Sequence, residues 1–205
     1  MQEFDSKAAS WDENPERIQR ANEIAKAIHS ELDLSQICTA MEYGCGTGLL
    51  SFVLKDEFEE VTLMDESALM IQEVDQKCEQ AGIIHFHPVK YNLLEDERPH
   101  FKVDLIYSLM TLHHIDDVNS ILESFQSLLN PSGYLVLIDL VTEDGSFHNH
   151  DFDGHWGFDK EVLTSQLHKA GFIQTGYKIC YTIRKERDGV VTEYPLFMMI
   201  GRKNS

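Results

Sequence analysis

The chain has 205 residues, a length that suits one α/β domain with a substantial hydrophobic core. Hydrophobic residues make up 42% and charged residues 25% of it, which excludes a disordered or collagen-like protein. Acidic side chains outnumber basic ones by 35 to 17, and the resulting net charge of −18 disfavours a nucleic acid partner. This acidity indicates solubility, with attraction of a cationic substrate as the alternative.

Cysteine spacing and hydropathy indicate the cellular compartment of the protein. The four cysteines are Cys38, Cys45, Cys78 and Cys180. Because none belongs to a C-x-x-C pair, we expect reduced thiols in a cytoplasmic protein, without a zinc site or a disulfide framework. The longest apolar run, residues 134–141, contains Asp139 and is too short to cross a membrane. The amino terminus lacks an export pattern, so we expect neither secretion nor membrane insertion.

The first half of the chain predicts alternating helices and strands. Asn14-Pro15 is a helix-start signal, and apolar residues follow it at helical spacing. A strand at residues 39–43 runs into a glycine-rich turn and a buried helix, and a second strand at residues 61–64 ends in Asp65. The next helix is expected between Ser67 and Gly82.

The second half continues the alternation and then changes to strands. Strands are expected near residues 84–89 and 101–107, before a helix that Asp116 caps and residues 130–133 stop. The apolar run at 134–140 is typical of a strand buried on both faces, and a polar loop at 141–158 follows it. One more helix precedes two strands joined at Asp188-Gly189, a hairpin signal. The order predicts one domain, residues 1–205, with a mostly parallel sheet and an antiparallel C-terminal strand.

The turn after the first strand carries the strongest chemical signal. Glycines at 44, 46 and 48 allow a tight turn and the close approach of a ligand. A dinucleotide fingerprint needs a third glycine where this chain has Leu49, and no Gly-Lys-Ser or Gly-Lys-Thr of a phosphate-binding loop follows. Asp65 ends the second strand, where a carboxylate either accepts ribose hydroxyls or favours the start of the next helix.

These features resemble the class I S-adenosylmethionine-dependent methyltransferases, in particular members that act on small molecules. Residues 42–48 resemble the first motif of that family, residues 65–70 the acidic second motif, and residues 103–114 the motif of the fourth strand. The resemblance extends to 157–158 and 170–172 and so covers most of the chain. It implies an α/β fold with a single doubly wound, seven-stranded sheet, residues 1–35 forming a helical lid.

The resemblance also implies which residues hold the donor. They are Glu42, Tyr43, Gly44, Cys45, Gly46, Gly48, Asp65, Glu66, Asn92, Leu93, Ser108 and Leu109. The glycines would pass under the amino-acid end and Asp65 would hold the ribose. Asn92, which replaces an acidic residue of the family, would flank the adenine together with Leu93.

For the reacting end, the resemblance places Ser108 and Leu109 on the pocket floor near the sulfonium. Glu42 would orient the loop or, through water, the ammonium group of the donor. The stretch from Phe4 to Trp11 resembles a segment that covers the cofactor, although simple aromatic packing is an equal alternative.

Methyl transfer mainly requires orientation of the acceptor and exclusion of water, because a sulfonium methyl is already activated. Whether a base is needed depends on the acceptor, and the candidate bases are His113, His114 and His155. Each has a plain structural alternative in shaping its loop. The loop residues His148, His150, Asp151, Asp153 and His155 could be read as a metal site, but their spacing fits no metal-binding motif, so we expect no metal site.

The sequence thus predicts a methyltransferase that uses S-adenosylmethionine and an unidentified, small-molecule acceptor, without nucleic acid or membrane partners. Two alternatives remain open. One is a non-catalytic protein that binds S-adenosylmethionine or another nucleoside, and the other is a nicotinamide-dependent oxidoreductase, against which Leu49 argues.

Overall fold

The computed structural model describes residue 5, residues 7–148 and residues 152–204. The helices in these ranges are α1 (Pro15–Glu31), α2 (Leu49–Val53), α3 (Ala68–Ala81), α4 (Val118–Leu128) and α5 (Lys160–Lys169), with short 3₁₀ helices at Ala8–Glu13, Leu34–Gln36 and Leu112–His114. The strands are β1 (Thr39–Tyr43), β2 (Glu60–Asp65), β3 (Phe86–Lys90), β4 (Val103–Leu109), β5 (Leu129–Leu140), β6 (Phe172–Arg187) and β7 (Val190–Lys203). None of the described helices combines the length and apolarity that a membrane crossing requires.

The seven strands form one sheet in the order β3-β2-β1-β4-β5-β7-β6. Strands β1 to β5 pair in parallel, and β7 pairs antiparallel with β5 and β6. The predicted doubly wound, mostly parallel sheet with an antiparallel C-terminal strand is confirmed. Because the strand order reverses beside β1, which pairs with β2 and β4, a crevice opens at the carboxyl ends of these strands.

Two hydrophobic clusters cover the two faces of the sheet. Alternate residues of a strand point to opposite faces, so Ala40 and Leu105 join one cluster while Met41 and Ile106 join the other. Buried residues of α1, α2 and α3 pack in the first cluster, and those of α4 and α5 pack in the second. Helices on both faces explain why the central strands are apolar throughout.

The predicted helix starts are correct with one exception. Asn14 and Ser67 accept hydrogen bonds from the first turns of α1 and α3, as expected. The cap of α4 is Asp117, whereas the sequence predicted Asp116. Asp117 Oδ1 accepts a hydrogen bond from the Ser120 amide at 2.9 Å, three residues into the helix, which is the geometry of an N-cap.

A second correction concerns the junction between α4 and β5. Residues 130–133 were expected to separate the two elements, but β5 already begins at Leu129, which pairs with Val103. Asn130 Nδ2 donates to Asp104 Oδ1 at 2.7 Å, so a side-chain bond holds this segment against β4. Leu129 is fully buried, so the first residue of β5 belongs to the core and not to an exposed turn.

The C-terminal hairpin turns at Asp188-Gly189 as predicted. Both residues have positive φ angles, 52° and 75°, the requirement of a tight two-residue turn. Strand β6 is 16 residues long and carries Ile183 and Lys185 to the wall of the cavity described next.

Candidate active site

A cavity of about 1080 Å³ lies at the carboxyl ends of the central strands. Its walls include the turn after β1, the end of β2, the segment after β4, helix α1 and strand β6. Small-molecule sites are typically ~300–1,000 Å³, so this cavity has room for two ligands side by side.

The glycine-rich turn forms the floor of one half of the cavity. Gly44 has a φ of 70°, and a Cβ there would lie 2.2 Å from the Thr111 side chain. Among the described residues, a Cβ on Gly46 would meet Trp11 Nε1 alone, at 3.9 Å, which leaves space above the backbone for a ligand in that part of the chain. Gly48 instead starts α2 and faces Leu63 and Phe52, so its role is in packing rather than in the cavity wall.

Asp65 lies beside this turn and faces the cavity. Its Oδ2 accepts a hydrogen bond from the Gly46 amide at 2.8 Å, and its Oδ1 accepts one from the Ser67 amide at 2.8 Å. Burial raises the pKa of Asp65, while these two bonds act in the opposite direction. Each carboxylate oxygen has a second lone pair, so Asp65 retains acceptor capacity for a ligand.

The wall beyond Asp65 contains Glu66 and Asn92, whose side chains lie 3.3 Å apart. Leu93 was expected beside them, but it is only 8% exposed and belongs to the core. Leu94 lines the cavity in its place. The cause is a turn in which Asn92 Oδ1 accepts from the Leu94 amide and Asp96 accepts from the Asn92 amide, directing Leu93 inward.

Glu42, Tyr43 and Cys45 also reach the cavity wall. The Glu42 carboxylate accepts hydrogen bonds from the amide and the hydroxyl of Ser51, and the Ser51 hydroxyl lies 2.7 Å from the hydroxyl of Tyr107. Burial raises the pKa of Glu42 to about 8, against the effect of the Ser51 bonds. A buried acid therefore lies beneath the glycine-rich turn in its protonated form near neutral pH.

The end of β4 differs from the prediction at Ser108. This side chain is buried and donates to the Tyr43 carbonyl at 2.9 Å, so it ties β4 to β1 and does not line the cavity. Leu109 lines the cavity as expected, together with Met110. Met110 has a φ of 56°, a left-handed conformation that costs about 1–2 kcal/mol in a residue other than glycine. Such strain is typical of functional sites.

Among the three candidate histidines, His113 makes the most informative contacts. Its Nδ1 lies 2.6 Å from Asp139 Oδ1, and its amide donates to Asp139 Oδ2 at 3.2 Å. Both side chains are 1% exposed, yet His113 borders the cavity. The Asp139 contact leaves Nε2 as the free ring nitrogen, because no described residue bonds to it. The sequence offered a signal for this pair, since Asp139 interrupts an apolar strand.

The other two histidines are placed differently. His114 lines the cavity, and burial, together with the nearby His113 and His148, lowers its pKa to about 3. His155 lies outside the cavity wall, where its Nε2 is 3.0 Å from the Ile115 carbonyl and its amide bonds to the His113 carbonyl. His155 therefore braces the loop. His150 and Asp151 lie outside the described residues, and within the described ranges no cluster of metal-ligating side chains occurs.

The 3₁₀ helix Ala8–Glu13 lies over the glycine-rich turn. Asp12 accepts a hydrogen bond from the Thr47 hydroxyl at 2.5 Å and forms an ion pair with Lys77 at 2.6 Å. Lys77 also donates to the Thr47 carbonyl at 2.7 Å, so the three residues form one latch. Trp11 lines the cavity beside it, whereas Phe4 lies outside the described residues.

The part of the cavity wall formed by α1 and β6 contains cations that the sequence analysis missed. Lys185 Nζ donates to the Phe147 carbonyl at 2.6 Å and lies 3.4 Å from the centre of the Phe147 ring. Burial lowers the pKa of Lys185 to about 8, with further lowering by Arg187 and Arg20. Arg17 and Arg20 of α1 also reach this wall. Their spacing of three on a helix places them on one side, which was the available signal.

Comparison with known proteins agrees with the fold and the motif. Residues 41–135 match the family described as a methyltransferase domain. An uncharacterized methyltransferase of Mycobacterium bovis is 29% identical over 102 residues, which are 50% of this chain and 50% of that protein. The chain thus spans about half the length of the curated relatives that come first among its matches.

Two solved structures share the fold at low identity. The N-methyltransferase NodS of Bradyrhizobium japonicum, in complex with S-adenosylhomocysteine, aligns with a TM-score of 0.71 and 15% identity, covering 100% of this chain and 98% of that one. The [4+2]-cyclase SpnF aligns with a TM-score of 0.74 and 14% identity, covering 91% and 82%. At such identities the likeness concerns the fold alone.

Proposed function

Since the chain carries a class I methyltransferase domain, we propose that it transfers a methyl group from S-adenosylmethionine to a small-molecule acceptor. The observation that supports this most is the floor of the cavity. Among the described residues Gly46 leaves open space above the backbone, and its amide bonds to the Asp65 carboxylate that borders the same space. A nucleoside needs this combination of close backbone approach and a ribose acceptor.

Residues that line the cavity would hold the donor. Asp65 would accept the ribose hydroxyls, and Glu66, Asn92 and Leu94 would border the adenine. Gly44, Tyr43 and Cys45 would lie along the amino-acid portion, with Glu42 beneath them. When bound, S-adenosylmethionine supplies a methyl group already activated on sulfur, so the protein contributes orientation and exclusion of water.

We assign His113 as the proton acceptor where the acceptor carries a hydroxyl or a protonated amine. Asp139 holds the Nδ1 side of the ring and stabilises the imidazolium that forms. His113 Nε2 would take the proton of a hydroxyl as its oxygen bonds to the methyl carbon, and it would take the proton of a protonated amine before the nitrogen, then carrying a lone pair, bonds to that carbon. In both cases the electron pair of the broken S–C bond would stay on sulfur. General-base assistance of this kind contributes about 10²–10⁴-fold to the rate.

The shape of the cavity and the charge of the chain support a small acceptor. The cavity lies beneath the 3₁₀ helix Ala8–Glu13 and has room for two small ligands. A net charge of −18 opposes nucleic acid binding. The four cysteines are free thiols, which supports a cytoplasmic location.

A protein that binds the nucleoside without methyl transfer is the second candidate. One specific observation favours it, because SpnF shares this fold and is a [4+2]-cyclase. Fold alone therefore leaves the reaction open. A nicotinamide-dependent oxidoreductase is disfavoured, since Leu49 lies where the dinucleotide turn requires glycine.

Formation of S-adenosylhomocysteine with a panel of small phenols, amines and acids tests the proposal. We expect product with at least one acceptor. With a hydroxyl acceptor, His113→Gln should lower kcat about 100-fold, while donor affinity stays unchanged. His168→Gln, an exposed histidine of α5, is the matched control.

Two results would contradict parts of the proposal. Intact donor binding without product from any acceptor supports the non-catalytic candidate. Equal kcat values of the wild type and His113→Gln with a hydroxyl acceptor would remove His113 from the mechanism and leave methyl transfer itself standing.

A further inference from the structure

Two cationic side chains on the wall formed by α1 and β6 form no direct ion pair among the described residues, although the charge of Glu16 acts on Arg20 and that of Glu143 acts on Lys185. Arg20 is partly buried, and its Nε is buried without a hydrogen-bond acceptor in that part of the chain. Lys185 is also partly buried, and its only hydrogen bond within the described ranges goes to the neutral Phe147 carbonyl. Burying a charge without a counter-ion is unfavourable, so an arrangement of this kind stabilises an anion that arrives from outside.

The two cations belong together and lie on the β6 side of the cavity. Lys185 lies on β6, and the charge of Arg20 contributes to lowering the pKa of Lys185 after burial and Arg187, while the charge of Glu143 acts in the opposite direction. The groups whose charges act on Arg20, after burial, are Arg17, Tyr181 and Glu16. The floor of the other half has a separate charge environment, because the charges acting on Glu42 come from Asp65 and Lys77.

The surrounding wall is apolar and aromatic. Phe147 is 6% exposed and packs its ring against Lys185 and Tyr194. Ile183, two residues from Lys185 on the same side of β6, also lines the cavity. An apolar body with one charged end would fill such a wall better than a small inorganic ion would.

From this arrangement we infer that the acceptor is an organic anion, whose carboxylate or phosphate group binds between Arg20 and Lys185. The inference rests on the proposed function and names the substrate class of the same cavity. It differs from the expectation that overall acidity attracts a cationic substrate, because the part of the wall that carries Arg20 and Lys185 is locally cationic although the chain as a whole is acidic. Arg20 presents a planar fork suited to carboxylate or phosphate oxygens, and Lys185 adds a point charge.

Binding of matched acids and amides tests this inference. Benzoate, phenylacetate and 4-hydroxybenzoate, each beside its primary amide, are titrated by calorimetry into protein saturated with S-adenosylhomocysteine, and phenyl phosphate forms a further arm. We expect at least one acid to bind ten times more tightly than its amide. Tighter binding of phenyl phosphate than of every acid would identify a phosphate ester as the class of anion.

Three variants test which side chains cause the preference for anions. Arg20→Met and Lys185→Met should each reduce the preference of acid over amide to less than threefold. Arg184→Met should leave it unchanged, because Arg184 is exposed on the same strand and paired with Glu193. Using two independent variants protects the test against a folding defect in one of them.

The outcomes separate this inference from the proposed function. Equal binding of every acid and amide, or no binding of either, contradicts the inference. A tenfold loss of S-adenosylhomocysteine affinity in both Met variants, with the acid preference unchanged, would assign the cations to the carboxylate of the donor and also contradict it. If S-adenosylhomocysteine fails to bind the wild type, the proposed function falls, and the acid and amide titrations on the free protein still decide the inference.

Discussion

The two halves of the cavity are built in different ways. The half around the glycine-rich turn comes from adjacent strands, and its main features are backbone amides and one carboxylate at the ends of β1 and β2. The opposite half brings together α1, the loop before α5 and β6, which are far apart in the chain. Substitutions in the first half would therefore disturb the backbone at the strand ends, whereas side chains in the second half can be substituted without altering the sheet.

The largest expected effect is in the glycine-rich turn. Gly44→Ala would place a Cβ 2.2 Å from Thr111 and should lower S-adenosylhomocysteine affinity at least ~100-fold, since the backbone beneath the ligand must shift. Gly82→Ala is the matched control, because Gly82 has a similar φ of 66° with no atom within 4 Å. The control should cost about 1–2 kcal/mol of stability and leave affinity unchanged. Equal affinities in calorimetry would show that the contact with Thr111 does not matter.

A pH effect on stability should also come from this half. The pKa of Glu42 is raised to about 8 from 4.5, so the folded protein holds a proton that the unfolded chain releases. The resulting stabilisation is full below about pH 4.5 and is lost as pH rises to about 8, with a slope of up to about 1.4 kcal/mol per pH unit. Glu42→Gln should flatten this dependence in urea unfolding, and Glu193→Gln, an exposed control, should not. Parallel curves for all three proteins would contradict the assignment.

Breaking the latch that Asp12, Thr47 and Lys77 form over the glycine-rich turn should have a smaller effect. Asp12→Asn removes the ion pair with Lys77, whose partners are 35% and 25% exposed, and should weaken donor binding about three- to tenfold through faster dissociation. Lys26→Met breaks the more exposed pair with Glu23 and should change nothing. Stopped-flow dissociation rates distinguish them, and identical rates would show that the latch does not retain the donor.

The difference between the halves also explains what the sequence could predict. The glycine-rich turn and the position of Asp65 can be predicted directly from the sequence, because the local chemistry of the backbone determines them. The buried positions of Leu93 and Ser108 could not be predicted, since which of two adjacent side chains faces the cavity depends on hydrogen bonds such as that from the Leu94 amide to Asn92. The sequence could not predict that Arg20 lies near β6, because this proximity depends on how α1 packs on the sheet.

The His113–Asp139 pair shows an intermediate case. His113 was a candidate from its position after β4, but its partner lies on the neighbouring strand, 26 residues later. Parallel pairing of β4 with β5 brings the strand ends together, and only the register shows that the two side chains meet. A polar residue in an otherwise apolar strand was the signal available in advance.

The most direct test of the central claim is calorimetric titration of S-adenosylhomocysteine and NAD into the wild type and Asp65→Ala. We predict that the wild type binds S-adenosylhomocysteine in preference to NAD. Asp65→Ala should weaken that binding by about 1–3 kcal/mol, the cost of leaving polar groups of the ligand unpaired. Tighter binding of NAD, or an unchanged affinity in Asp65→Ala, would contradict the account.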